Sequence, residues 1–157
     1  MPPRNKLKKN TGTHILLDSV QDPGNVGSII RTANALGISS IILAGGCADP
    51  YNPKTIRASM GAIFRQSICD MNLAEFAGLK ESGVRIIGAV LGKDCRYISD
   101  LNLKDSIIAI GSEGRGLSAE ILHLCDELFT IPMYQECESL NASVAAAIIM
   151  WESTKCR

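Results

Sequence analysis

IPMYQECESLNASVAAAIIMWE, residues 131–152, is the stretch on which the reading of this chain turns. Leu128, Phe129 and Ile131 lead into it as the end of a buried strand, and Pro132 stops that strand because it has no backbone donor for a ladder. A polar loop follows, and Ser139-Leu140-Asn141 opens an apolar helix with Ser139 as the expected N-cap. Leu140, Val144, Ala147, Ile148 and Trp151 recur at helical spacing and predict the face turned to the core. The first turns carry little bulk: Ala142, Ser143, Ala145, Ala146 and Ala147. Small side chains let a ligand, another segment or another subunit approach the backbone. A capped core helix explains the same pattern, so this stretch alone leaves its role open.

Working outward, the rest of the chain alternates short apolar runs with helical segments. His14–Asp18, Ser39–Leu43, Phe64–Cys69, Val84–Leu91, Ser106–Ile110 and Glu127–Ile131 read as strands. Helices are expected over Val26–Leu36, closed by Gly37, near Lys54–Met60, over Leu73–Lys80, and from Ser118 to about Leu124. Continuous Ile/Val/Leu strands between helices imply parallel strands covered on both faces, an open α/β sheet. Ligands of such sheets sit at the carboxyl ends of the strands. The loops after Asp18, Leu91, Ile110 and Ile131 are therefore the candidate site.

Composition narrows the function. The 157 residues suit one domain, with 46% apolar and 20% charged residues. Lys plus Arg and Asp plus Glu both number 16, and this balance counts against non-specific coating of nucleic acid. Arg4, Lys6, Lys8 and Lys9 make residues 1–12 a basic flexible tail, with the domain proper at 13–157. The six cysteines form no C-x-x-C pair, which fits neither a zinc site nor a disulfide scaffold. No metal is expected, nor a membrane span, since Val144–Trp151 is the longest apolar run. With no signal peptide in view, the expectation is a cytoplasmic protein.

Three loops carry candidate chemistry. In SVQDPGNVGSIIRT (19–32), Asp22-Pro23-Gly24-Asn25 is turn chemistry and Asn25 the expected N-cap. Val26, Ile29, Ile30 and Ala33 face the core there, and Arg31 points away from it. In IAIGSEGRGLS (108–118) three glycines precede a helix, but the order G-x-x-G-x-G and Ile131 in place of a later acid weaken a dinucleotide reading. That loop offers backbone amides and Glu113. The third loop offers Ser139 and Asn141. His14, in a strand, and His123, late in a helix, read as structural, so no Ser-His-Asp triad is supported.

Taken together, DPGNVGSIIRTANALGI (22–38), IIAIGSEGRGLS (107–118) and IPMYQECESLNASVAAAI (131–148) resemble motifs one, two and three of the SpoU branch of the SPOUT RNA methyltransferases. Order and spacing agree from about residue 14 to 153, ASMGAIF (58–64) included. The resemblance implies an open parallel sheet whose C-terminal segment is threaded into a deep trefoil knot, rare among folds. It implies S-adenosyl-L-methionine bound between motifs two and three by Leu91, Gly111, Ile131, Met133 and Leu140, and methyl transfer to a ribose 2′-hydroxyl of rRNA or tRNA. It implies catalytic roles for Asn25, Arg31, Glu113, Ser139 and Asn141. Arg31 is either the base or only a phosphate anchor, since a guanidinium holds its proton too tightly to be a good base. A homodimer is implied, with Arg31 of one subunit at the other's cofactor pocket. Several relatives carry a separate substrate-binding domain. RNA is then recognised either by this domain and its tail, or with a further domain or partner, which zero net charge favours. An inactive RNA-binding module and a nucleotide-binding α/β domain are the alternatives.

Overall fold

A computed structural model describes residues 11–92, 94–134 and 137–155; Arg4, Lys6, Lys8 and Lys9 of the expected tail lie outside these. Seven strands form one sheet in which every paired neighbour runs parallel. They are β1 (His14–Asp18), β2 (Ser40–Ala44), β3 (Ile68–Asp70), β4 (Ile86–Ala89), β5 (Arg96–Tyr97), β6 (Ile107–Gly111) and β7 (Glu127–Thr130). Their order across the sheet is β3-β2-β1-β6-β4-β7-β5. The helices are α1 (Pro23–Leu36), α2 (Pro53–Ser59), α3 (Leu73–Glu81), α4 (Ala119–Leu124) and α5 (Ala142–Thr154).

Side chains alternate between the two faces of each strand, so β1 feeds two cores at once. Ile15 and Leu17 pack with Ile29 and Ile30 of α1 and Ile149 of α5, whereas Leu16 packs with Phe76 of α3 and Ile121 of α4. Each fully buried Leu or Ile contributes about 1.5–3 kcal/mol over its exposed state. Coverage on both faces is what the uninterrupted apolar strands require. The buried His14 belongs to this scaffold: its Nδ1 lies 2.7 Å from Ser40 Oγ, and burial pushes its pKa down. His123 sits late in α4.

Several local expectations are corrected. Asp22, not Asn25, caps α1; its carboxylate accepts the Asn25 N–H at 2.8 Å, which with Lys54 holds it below the usual carboxylate range. Pro23 occupies the first turn, where its missing N–H costs nothing. Asn141, not Ser139, caps α5, accepting from Ser143 N at 3.0 Å and Val144 N at 3.3 Å. The expected strand Phe64–Cys69 splits into a 3-10 turn, Ala62–Phe64, and the short β3; Phe64 is 77% exposed. The expected strand Val84–Leu91 is ordered as a strand only over Ile86–Ala89.

The buried face of α5 is also not the predicted one. Ala142, Ala146, Ile149, Met150 and Ser153 face inward, while Val144 and Trp151 are 47% and 57% exposed. Alanines on the inner face let α5 lie close against α1. The two-residue β5 was not foreseen. Arg96 fastens it to β7 by donating to Glu127 Oε2 at 3.0 Å, and Arg85 holds the other oxygen of that carboxylate.

One buried acid ties the sheet to the site. Asp18, 1% exposed at the end of β1, accepts the N–H of Ser118, the α4 cap, at 2.6 Å and the Ser19 hydroxyl at 3.0 Å. Asp18→Ala should cost about 2 kcal/mol by orphaning that N–H, lowering Tm by about 4–8 °C. Asp18→Asn, which keeps one acceptor, should recover roughly half of that. A wild-type melt for Asp18→Ala would remove Asp18 from this role.

Candidate active site

The carboxyl ends of β4, β6 and β7 open onto a largely apolar cleft. Three segments wall it: 89–91 at the end of β4, 110–113 with Gly116 at the end of β6, and Ile131, Met133, Ser139 and Leu140 before α5. Leu91, Gly111, Ile131, Met133 and Leu140, the five expected cofactor residues, all line it. Ser139 and Glu113 reach it as well. Its remaining wall is the first turns of α5, through Ala142, Ala145 and Ile149. The small residues noticed in the sequence thus give the cleft its room on this side.

A second, more polar cleft adjoins the first at the ends of β1 and β6. Ser19, Gln21, Asp22, Asn25, Gly114 and Arg115 line it, and it shares Ser112, Glu113 and Ala142 with its neighbour. Glu113 stands on the common wall. Its Oε1 accepts from Asn25 Nδ2 at 3.1 Å, Asn141 Nδ2 at 2.7 Å and the Ala142 N–H at 2.8 Å. Asn141 Nδ2 also donates to Asn25 Oδ1 at 3.1 Å. The Ala142 N–H belongs to the first turn of α5, where such donors lack intrahelical partners and a negative charge is favoured. One carboxylate therefore links all three loops.

Gly111 has a cause the sequence did not show. A Cβ there would lie 2.0 Å from Gly116 C and 2.3 Å from Leu117 N, so protein backbone occupies its place. The chain from 112 to 116 is a tight loop, closed by Ser112 N donating to Gly116 O at 3.2 Å and Gly116 N to Ser112 O at 2.8 Å. Gly116, at φ +67°, adopts the left-handed conformation that ends such loops.

Of the expected catalytic residues, Asn25, Glu113 and Asn141 come together, and Ser139 lies on the apolar cleft that Glu113 also lines. Arg31 does not join them. It is exposed, two turns further along α1, and lines neither cleft. Asp18 and the Ala142 N–H are contributors that the sequence reading missed; an acid ending an apolar strand was the available signal for the first. Among the described residues, no group of three His, Cys, Asp or Glu side chains is placed to hold a metal ion. No helix among them is long and apolar enough to cross a membrane.

The model of the SpoU rRNA Methylase family matches residues 12–151. This chain belongs to that family. Among SpoU relatives, the 23S rRNA (guanosine(2553)-2'-O)-methyltransferase RlmP of Bacillus subtilis is 38% identical over 138 residues, 87% of this chain and 56% of that protein. The 23S rRNA (uridine(2479)-2'-O)-methyltransferase of Streptomyces viridochromogenes is 35% identical over 150 residues, 91% of this chain and 52% of its own. This SpoU chain thus spans about half the length of the curated relatives it matches.

Solved structures agree in fold. AviRb from Streptomyces viridochromogenes, in complex with AdoMet, superposes with TM-score 0.87 at 31% identity, covering 100% of this chain and 66% of that one. An AdoMet-bound rRNA methyltransferase from Sinorhizobium meliloti gives 0.86 at 33% identity, covering 92% and 56%.

Proposed function

We propose that residues 13–157 are the catalytic domain of an S-adenosyl-L-methionine-dependent RNA methyltransferase, acting in the cytoplasm on a ribose 2′-hydroxyl of rRNA or tRNA. The observation that carries this reading is Glu113 on the wall between an apolar and a polar cleft, joined to Asn25 and Asn141. The apolar cleft suits the cofactor by its lining, mostly apolar side chains with the Glu113 carboxylate and Ser139 hydroxyl as its few polar groups. Leu91, Gly111, Ile131, Met133 and Leu140 would hold it there. When bound, S-adenosyl-L-methionine supplies a methyl carbon on a positively charged sulfur.

The chain's own residues supply position. Methyl transfer needs the attacking oxygen held in line, and such ordering carries much of the rate. The polar cleft admits a ribose up to Glu113, whose Oε2 has no partner among the described residues. Asn25 and Asn141 fix that carboxylate, and Ser139 offers a hydroxyl at the cleft. Ile110, Ile131 and Ile149 keep water from the apolar side.

Arg31 completes the site from a second copy, as proton acceptor or phosphate anchor. That it lines neither of the two clefts in its own chain supports this arrangement. So does the outward face of α5, where Val144 and Trp151 form exposed apolar surface beside α1. A two-fold homodimer would cover that face. The threaded C-terminus belongs to the same proposal. It is supported by β7 lying between β4 and β5, so that the chain joining those two strands crosses its line.

Thermal melts in the presence of S-adenosyl-L-methionine or its demethylated product test the reading. At about 100-fold excess over Kd the ligand should stabilise the fold by about 2.7 kcal/mol. No shift with intact protein overturns the assignment, and a shift with NAD or ATP instead would favour a nucleotide-binding domain. Mapping ribose methylation in total RNA of a strain lacking the gene then identifies the target.

A further inference from the structure

We propose that Arg115 grips a backbone phosphate of the acceptor RNA beside the target ribose, an inference that rests on the function proposed above. Three charged side chains line the polar cleft, and two of them are answered. Asp22 pairs with Lys54 at 3.4 Å, and Glu113 takes its three donors. Among the described residues no hydrogen bond or ion pair engages the Arg115 guanidinium, the only cation lining this cleft. The unanswered charge is positive, and its complement is an anion.

The backbone beneath Arg115 is fixed. Residues 113–115 form the tip of a loop closed on both sides by the Ser112–Gly116 pair and braced by the packing of Gly116 on Gly111. One loop thus turns an acid toward its own chain through Glu113 and a base toward the cleft through Arg115. Space for the ligand is open there: a Cβ on neighbouring Gly114 would meet nothing within 4 Å. A guanidinium suits the task, because it meets two phosphate oxygens at once and is weakly hydrated. Gripping the backbone positions the ribose without reading the base.

The test is binding of a short, unstructured, fluorescently labelled single-stranded RNA to the whole chain across a salt series, with S-adenosylhomocysteine present. Arg115→Ala should weaken binding about fivefold at low salt and reduce the salt slope by about 0.7, the value of one lost phosphate contact. Arg115→Lys should keep the slope while losing about twofold in affinity. Lys104→Ala, exposed near the opposite end of β6, should change neither. The melting shift with S-adenosylhomocysteine should be the same in all four proteins. A wild-type slope in Arg115→Ala, or an equal fall in Lys104→Ala, overturns the proposal while a retained melting shift leaves the methyltransferase reading standing. Loss of slope in Arg115→Ala alone, with no melting shift even in the wild type, supports the phosphate site and overturns the methyltransferase reading.

Discussion

Arg31→Ala and Asn141→Ala should each abolish methyl transfer, yet a mixture of the two should regain about a quarter of wild-type activity. Arg31 lies outside both clefts of its own chain, whereas Asn141 is bonded to Glu113 on their shared wall. If Arg31 serves the partner's cleft, one site of a mixed dimer receives both defects and the other receives neither. Equal amounts reassembling at random make about half the dimers mixed, each with one intact site of two. Asn141→Ala also removes the α5 cap, a loss of about 1 kcal/mol, which a folded domain survives. Both variants should therefore melt cooperatively and exchange subunits. A mixture that stays inactive after demonstrated exchange would rule out the shared site and return Arg31 to its own chain.

Gly111→Ala should damage both the fold and the cofactor cleft. Its Cβ would sit 2.0 Å from Gly116 C and 2.2 Å from Gly116 O, both backbone atoms unable to swing aside as a side chain would. Relief requires the end of β6 and the 112–116 loop to part, at a cost of about 1–3 kcal/mol. That movement carries Glu113 away from Asn25, Asn141 and the first turn of α5. Cofactor binding, read as the melting shift, should fall at least tenfold, along with the Tm. Gly114→Ala is the matched control, with open space around its Cβ, and should change neither. A Gly111→Ala protein with normal stability and normal cofactor affinity would show that this contact yields freely.

The parallel sheet was legible because its strands are continuous apolar runs, a pattern that only double coverage permits. The five cleft residues were legible through the family resemblance together with the rule that ligands sit at carboxyl strand ends. What failed is instructive. α5 is apolar on nearly every side, so periodicity could not decide which face was inner, and the close packing with α1 chose the alanines. Asn25 and Asp22 are both good caps, and the turn placed Asp22 one residue ahead of Pro23. β5 has two residues, both exposed, and owes its place to Arg96 on Glu127. Asn25, Glu113 and Asn141 were named through the resemblance, but the hydrogen bonds joining them span most of the chain and no local pattern announces those.

The position of β7 sets an order of assembly during synthesis. It is the last of the described strands to be made, yet it lies inside the sheet, with β4 on one side and β5 on the other. Until residues 127–130 leave the ribosome, β4 presents a raw edge of unpaired backbone groups, of the kind that recruits strands from other chains. Docking of the N-terminal half cannot complete the sheet, so the nascent chain depends on a late, long-range closure of the kind that folds slowly. High expression, which brings many such unfinished chains together, should therefore favour aggregates, and lowering the expression level should raise the yield of native protein.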